Sequence, residues 1–240
     1  MTTIYWAAAV VALISAVAAA VEWVRDRSPV LAAWALSMAT VSASLADMAA
    51  VPAVMKDGSE AAASVCAAMG IVGTWAFAEV LATATSDERS VADLVTTPLL
   101  GGACALLLLL GLNWAHGIGH AELARLTAIA GELTVAAYYV PGLGRIAVLA
   151  HQRARSIPAR WTRMTMRMVC TAACAELVLL MVRSAVLVGQ AWGLEAGEPA
   201  IPVITALQGL AMICGVSGLA AGPVIMAVSR RCAAWFGSWS

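Results

Sequence analysis

Residues 97–114 read TPLLGGACALLLLLGLNW, a stretch without a charged side chain. An α-helix rises about 1.5 Å per residue, so roughly 20 apolar residues cross the hydrocarbon core of a bilayer. The strands of a membrane barrel would instead alternate apolar and polar residues over about ten positions. This stretch therefore predicts a membrane-spanning helix.

Further stretches of the same kind lie on both sides of it. With 62% hydrophobic and only 12% charged residues, the chain of 240 residues is too apolar for a soluble globular domain. The connections are short, which favours one compact all-α bundle over residues 1–240. We predict seven transmembrane helices, near residues 4–22, 30–51, 64–84, 97–114, 126–149, 168–190 and 202–228.

Positive charges fall almost entirely on alternate connections between these seven segments. One side carries only Lys56 and Arg125, and Arg183 lies within the sixth segment. The other side carries eleven arginines, namely Arg25, Arg27, Arg89, Arg145, Arg153, Arg155, Arg160, Arg163, Arg167, Arg230 and Arg231. Lysine and arginine are enriched on the cytoplasmic side of membrane proteins. The asymmetry predicts a multi-pass protein of a bacterial plasma membrane, with its N-terminus outside and its C-terminus cytoplasmic.

Three ionisable residues inside the apolar segments lie at similar predicted depths. Asp47 is a few residues below the outer end of the second segment. Glu132 and Arg183 are about two turns below the outer ends of the fifth and sixth segments. An arginine beside one or both carboxylates lowers the cost of each buried charge. We expect these three side chains to meet under the outer surface.

Two further acids lie deeper in the segments. Glu176 is on nearly the same helix face as Arg183 but roughly 10 Å deeper, and Glu79 is in the inner half of the third segment. Acids at different depths are typical of an ion pathway, so we predict a substrate or ion pathway through Asp47, Glu79, Glu132, Glu176 and Arg183. Structural ion pairs or protonated, hydrogen-bonded carboxylic acids explain the same residues equally well.

The longest connection, from His151 to Met168, is rich in arginine. Its five arginines are Arg153, Arg155, Arg160, Arg163 and Arg167. We expect an amphipathic or irregular segment that lies along the anionic cytoplasmic leaflet. The same arginines are also explained as a basic loop that sets the topology, or as a surface that holds a cytoplasmic partner.

Prolines predict two local features of the helices. Thr97-Pro98 is expected to begin the fourth helix, because proline is tolerated where a helix needs no backbone amide. Residues 138–144 contain Pro141 and two glycines, and they are expected to kink or break the inner half of the fifth helix.

One group of residues resembles a metal site. His116 and His120 are four residues apart, so they could face one ion if the segment were helical, with Glu122 beside them. Two glycines between the histidines disfavour that helix, and the order lacks the HExxH arrangement of zinc hydrolases. The histidines could equally be exposed interfacial residues. We therefore predict no metal and no cofactor, with these three residues as weak candidates.

Motifs of several known functions are missing from the sequence. A retinal Schiff base requires a lysine within the bundle, whereas the single lysine, Lys56, lies in an outer connection. Bis-histidine haem binding requires paired histidines inside helices, and none of the three histidines fits. There is no Walker, GxSxG or HExxH motif. A light-driven rhodopsin is excluded, and an enzyme is left open but not favoured.

Three arrangements carry a resemblance to a known family. They are the inner turn Arg25-Asp26-Arg27-Ser28-Pro29, the basic connection Arg153–Arg167, and Arg230-Arg231 followed by Trp235 and Trp239. With them the chain resembles, over nearly its whole length, a family of actinobacterial seven-helix membrane proteins described as transporters. Longer members carry a cytoplasmic extension after the seventh helix, and this chain ends where that extension would begin. The resemblance implies transport but identifies no substrate.

Two functions fit these patterns. The first is a small-molecule or ion transporter with a polar cavity inside the helix bundle. The second is a non-enzymatic sensor or assembly subunit, which would bind a cytoplasmic partner through the basic connection and the C-terminal tail. Membrane lipids are expected partners in both cases, and a cytoplasmic protein or a second copy of the chain is left open. Nothing in the sequence indicates a nucleic-acid partner.

Overall fold

The structure, a computed structural model, is helical throughout its regular elements. It describes residues 2–26, 29–54, 60–83, 91–118, 121–158, 160–192, 202–211, 213–215 and 217–218. The helices of these ranges are α1 (Thr2–Asp26), α2 (Pro29–Val54), α3 (Glu60–Thr83), α4 (Val91–Ile118), α5 (Ala121–Ser156), α6 (Arg160–Ala191) and a shorter α7 (Pro202–Gly215). The all-α prediction is confirmed.

Five helices of the described ranges are long and apolar enough to cross a membrane. Their apolar spans are Tyr5–Arg25, Ala63–Ala82, Thr96–His116, Arg125–Ser156 and Thr162–Gln190. The apolar stretches of the other two helices, Leu31–Ala43 and Pro202–Gly215, are shorter. The helices are consistent with an integral membrane protein, and the number of crossings stays a prediction.

Consecutive helices pack side by side and run in opposite directions. Ser42 in α2 donates from Oγ to the carbonyl oxygen of Ala9, near the start of α1, over 2.8 Å. Trp34, which comes earlier in α2, donates from Nε1 to Oγ of Ser15, later in α1, over 3.3 Å. α3 is the most buried of the five long apolar helices, and it contacts α2, α4 and α5. α3 and α5 therefore lie side by side without being consecutive in the chain.

α1 places small residues inside and large apolar residues outside. Its buried face consists mainly of alanines, whereas Val10, Leu13, Ile14 and Val17 are exposed. Small side chains let helix backbones approach closely, and this is the usual packing mode where lipid removes the hydrophobic driving force between helices. α4 carries the same outward pattern, and its Leu107 is 71% exposed. These exposed faces suit contact with hydrocarbon.

The main buried cluster contains residues of α1, α2, α3, α5 and α6. Trp34 and Phe77 pack edge to face, with ring centroids 5.5 Å apart and ring planes at 70°. Leu143 of α5 and Leu180 of α6 belong to the same buried cluster. An aromatic pair in this geometry stabilises by about 0.5–1.5 kcal/mol beyond the area it buries. The cluster fixes the helices that carry the ionisable residues.

Gly73 allows α2 and α3 to approach closely. A Cβ atom at this position would lie 2.6 Å from Thr40 Oγ1 and 3.3 Å from the carbonyl oxygen of Ser37. The approach brings Ser37 Oγ within 2.9 Å of the Gly73 carbonyl oxygen, to which it donates a hydrogen bond. Glycine is therefore required here by contact between the helices.

Proline lies inside two of the helices. α4 begins at Val91, so Pro98 is a fully buried residue within it and not, as predicted, at its start. α5 continues through Pro141, so the helix does not break there, and the alternative of a kink stays a prediction. Neighbouring helices can satisfy the backbone groups that a proline frees within a membrane helix. Trp75 Nε1 of α3 donates over 3.0 Å to the carbonyl oxygen of Tyr138, which follows Ala137, the residue whose carbonyl lacks the amide of Pro141.

The expectation of a long amphipathic or irregular connection between the fifth and sixth helices is wrong. α5 ends at Ser156 and α6 begins at Arg160, so only residues 157–159 separate them. Arginine is a good helix former, and the end of an apolar stretch does not require the end of a helix. The five arginines accordingly lie in the last turns of α5 (Arg153, Arg155) and the first turns of α6 (Arg160, Arg163, Arg167).

Candidate functional site

A polar cavity of about 500 Å³ lies among α3, α4, α5, α6 and α7. α3 contributes Ser64, α4 contributes Asn113 and His116, and α5 contributes Thr127 and Glu132. These residues lie in the first part of α3 and α5 and the last part of α4. The cavity is therefore in the half of the bundle that the predicted topology assigns to the outside.

Glu132 of α5 and Arg183 of α6 form an ion pair in the wall of this cavity. Arg183 Nη2 lies 3.4 Å from Glu132 Oε2, and the arginine and glutamate side chains are 48% and 14% exposed. A residue early in α5 lies beside a residue late in α6, because the two helices are antiparallel and their connection is short. The structure thus brings together two of the three residues with matching predicted depths. Their part in a substrate or ion pathway stays a prediction.

Hydrogen bonds position the neighbouring polar side chains. Asn113 Nδ2 donates to Ser64 Oγ over 2.6 Å and joins α4 to α3. His116 Nδ1 lies 3.2 Å from Thr127 Oγ1, and this hydroxyl donates to the carbonyl oxygen of Leu123. His116, a weak metal candidate in the sequence, thus contacts a hydroxyl of α5. These contacts order three helices around the cavity.

Glu176 of α6 lies deeper in the same cavity, two turns before Arg183 in the sequence. Its Oε2 atom is buried and has no hydrogen-bond partner among the described residues, and the same holds for Glu132 Oε1. A buried acceptor without a partner costs about 1–3 kcal/mol. Atoms of this kind in a native structure call for an explanation, such as a bound ion, ligand or water.

Glu176 also lines a second, mainly apolar cavity of about 220 Å³. Phe77 of α3 and Leu143 of α5 form part of its wall. Gln208 of α7 lines both cavities, and Tyr5 of α1 lines the apolar cavity with it. Glu176 and Gln208 therefore lie at the junction between a polar and an apolar space.

Glu79 lies elsewhere, in an ion pair between α3 and α5. Its partner is Arg145, and the glutamate and arginine side chains are 6% and 34% exposed. About two turns further along α5, Arg153 Nε donates to the carbonyl oxygen of Leu81 over 3.2 Å. Glu79 is not among the described residues that line either cavity. It links α3 to α5 near the end of the bundle opposite the polar cavity, and its place in a pathway stays a prediction.

The five arginines where α5 meets α6 form two groups. Arg153 binds the Leu81 carbonyl, and Arg163 donates to the carbonyl oxygens of Ile157 and Pro158 over 3.1 and 2.9 Å. The side chains of the second group are exposed, and its members are Arg155, Arg160 and Arg167. The first group stabilises the tight connection, whereas the second remains accessible to a lipid headgroup or a protein.

The remaining predicted residues lie outside the part of the chain whose side chains are described. Asp47 belongs to α2 and Glu122 to α5, but their side chains are outside the described residues, as is His120 altogether. The predicted meeting of Asp47 with Glu132 and Arg183 therefore stays a prediction, and two of the three weak metal candidates, His120 and Glu122, lie outside the described side chains.

The site predicted from the sequence does not include three residues that the structure places in the ion pairs or cavity walls, namely Arg145, Tyr5 and Gln208. Arg145 fits the pattern of arginines that set the topology, although its position in the inner half of the fifth segment matches that of Glu79 in the third. Tyr5 and Gln208 are uncharged, so a criterion based on buried charges does not select them. Polar uncharged side chains inside apolar segments are the signal that points to both.

Comparisons with known proteins provide no relative from which a function of this site could be proposed. No protein family, curated protein or solved structure matches the chain. The features that any function has to explain are the Glu132–Arg183 pair in the polar cavity and the Glu176 carboxyl group at the junction of the two cavities.

Proposed function

We propose that the chain is a plasma membrane protein of seven spanning helices, with an external N-terminus and a cytoplasmic C-terminus. The five long apolar helices of the described ranges support insertion into a membrane. α2 is 26 residues long, which is sufficient to cross a bilayer core. The division of eleven arginines on one side against two positive residues on the other supports the orientation.

Within this topology, the protein transports a small molecule or an ion through the polar cavity. The observation that carries this function is the buried Glu176 carboxyl group, whose Oε2 atom has no partner among the described residues. Ionisable groups inside a membrane bundle are expensive, and those that persist typically line substrate, ion or proton pathways. The resemblance to actinobacterial seven-helix transporters agrees with this proposal.

A panel of simple solutes tests transport before any substrate is identified. The purified full-length protein is reconstituted into liposomes, and currents are recorded on a solid-supported membrane after concentration jumps. The probes are sodium, potassium, ammonium, choline and glycine, the last applied with a pH step. We expect at least one probe to produce a current that protein-free liposomes lack and that Glu176→Gln abolishes.

The matched control is Glu22→Gln, which neutralises a carboxylate near the end of α1. Glu22 is 44% exposed and lies 3.7 Å from Arg25, and it is not among the described residues that line either cavity. This variant should keep the wild-type current. Equal currents in the wild type and Glu176→Gln, with equal amounts of monodisperse protein, would remove Glu176 from the transport mechanism.

A sensor or assembly subunit is the second candidate, and the exposed arginines where α5 meets α6 favour it. Arg155, Arg160 and Arg167 form a basic surface that would attract an acidic protein segment. Affinity purification in mild detergent separates the two functions. A stoichiometric cytoplasmic partner that is lost when these three arginines are changed to glutamine supports the assembly role. Isolation of the protein alone, with a bound solute, supports transport.

A further inference from the structure

We propose that the two cavities together bind an organic cation, with its ammonium group at Glu176 and an aromatic or similarly sized apolar body in the second cavity. This inference rests on the proposed function and gives its substrate class. The two cavities share the Glu176 and Gln208 side chains. An ammonium group bound at Glu176 would therefore lie beside both the polar and the apolar space.

The charges of the cavities favour a cation. The acids and arginines among the described lining residues are Glu132, Glu176 and Arg183. Arg183 is bound to Glu132 at 3.4 Å, whereas Glu176 has no ion-pair partner among the described residues and its Oε2 atom accepts no hydrogen bond from them. An ammonium group that donates to Glu176 Oε2 would satisfy the buried acceptor and neutralise the carboxylate in one contact. An anion would instead meet two carboxylates and an arginine that already has a partner.

The second cavity has the size and lining of a site for an apolar body. Its volume is about 220 Å³, and its wall includes Phe77, Leu143, Ile146 and Val169. A cavity of about 150 Å³ with a comparable aliphatic and aromatic lining accommodates benzene. The space beside Glu176 therefore suits one aromatic ring with a short attached chain, and burial of that ring would contribute binding free energy in proportion to its apolar area.

Two tyrosines add to the recognition of a cation. Tyr5 lines the apolar cavity and Tyr139 lines the polar cavity, and Glu176 lines both. The face of an aromatic ring attracts an ammonium group, by about 0.5–2 kcal/mol according to how far the group is removed from water. The neighbourhood of the Glu176 carboxylate thus contains rings and an anion, the combination that typically binds amines.

Calorimetric titration of the purified full-length protein in mild detergent tests the proposal. The probe is protonated benzylamine, and each control changes one of its properties. Methylamine keeps the charge without the ring, benzyl alcohol keeps the ring without the charge, and benzoate reverses the charge. We expect benzylamine to bind at least tenfold more tightly than any of the three. Glu176→Gln should weaken benzylamine binding at least tenfold, whereas Glu22→Gln should leave it unchanged.

The ligand series on the wild-type protein keeps the test informative even where a variant is produced poorly. Tighter binding of benzoate than of benzylamine, equal binding of benzyl alcohol, or no binding of benzylamine would each overturn the proposal. Retained affinity in Glu176→Gln would overturn it too. Failure of this substrate class is distinguishable from failure of transport, because the Glu176-dependent currents with inorganic ions and glycine would persist in the first case and be absent in the second.

Discussion

Glu132 and Arg183 face each other across the α5–α6 interface with 3.4 Å between Oε2 and Nη2, yet the two partners differ in how deeply their side chains are buried. The Arg183 side chain is 48% exposed, whereas that of Glu132 is 14% exposed, and Glu132 Oε1 has no partner among the described residues. Removal of the arginine and removal of the carboxylate are therefore not equivalent changes.

Arg183→Met should destabilise the protein more than Glu132→Gln does. The first change leaves a nearly buried carboxylate without its partner, at a cost of about 1–3 kcal/mol. The second leaves an arginine that is 48% exposed and lines the polar cavity, at a cost below about 1 kcal/mol. Thermal unfolding in detergent measures both, and the double variant should lie close to Glu132→Gln alone. A double variant as unstable as the sum of the single changes would contradict this asymmetry.

Arg145→Met should be more destabilising than Arg183→Met. Its partner Glu79 is 6% exposed and Arg145 itself is 34% exposed, so this pair is more completely removed from water than the Glu132–Arg183 pair. Loss of one partner from a buried pair costs up to about 3–5 kcal/mol, and partial exposure of the arginine reduces that to about 2–3 kcal/mol. The same unfolding assay compares the two variants. A lower unfolding midpoint for Arg183→Met than for Arg145→Met would show that burial of an ion pair does not determine how much stability its loss costs.

Glu176→Leu should raise the stability of the protein while it removes transport. The change replaces a buried acceptor that lacks a partner in the described structure by an apolar side chain, which relieves about 1 kcal/mol or more of desolvation cost. Residues kept for function commonly reduce stability in this way. Val178→Leu, at an exposed position on the same helix, is the control for a change that only adds apolar surface. A lower unfolding midpoint in Glu176→Leu would identify the carboxyl group as a structural element instead.

The two ion pairs show how far the sequence could predict the candidate site. Glu132 and Arg183 lie about two turns from the same end of consecutive segments, and an antiparallel arrangement of neighbours is sufficient to bring them together. Glu79 and Arg145 lie on α3 and α5, which are in contact without being consecutive. Apolar patterning does not tell which non-consecutive helices touch, so this pair could not be predicted with the same rule.

Helix ends are less predictable than helix positions. The length of an apolar stretch reflects the thickness of the hydrocarbon core of the bilayer. The backbone hydrogen bonds of a helix can continue beyond this core into the membrane–water interface until a residue that disfavours a helix ends them. For this reason α5 extends past the predicted segment 126–149 to Ser156, and α4 begins before Pro98 at Val91. The proline at 141 likewise does not end α5, because tertiary contacts override a local preference.

Gly101 and Gly102 are adjacent in α4 but have opposite surroundings. A Cβ atom on Gly101 would meet no described atom within 4 Å, whereas one on Gly102 would overlap the Val72 side chain of α3 and lie 3.4 Å from the Ala68 carbonyl oxygen. Valine is held in few rotamers on a helix and cannot move aside easily. Gly101→Ala should raise the unfolding free energy by up to about 1 kcal/mol, and Gly102→Ala should lower it by about 1–3 kcal/mol. Similar effects of the two substitutions would contradict the close contact between α3 and α4.

The proposed orientation predicts which reporter proteins are active when fused to the chain. Alkaline phosphatase depends on disulfide bonds and is active only in an oxidising compartment, whereas green fluorescent protein matures in the cytoplasm. A fusion after Ser240 should fluoresce and lack phosphatase activity, because eleven arginines mark that side as cytoplasmic. A fusion after Ile118, at the end of α4, should show the opposite pattern. Phosphatase activity at Ser240 together with fluorescence at Ile118 would show the inverted topology, in which the polar cavity lies in the cytoplasmic half. Activity of the same reporter at both positions would rule out seven crossings.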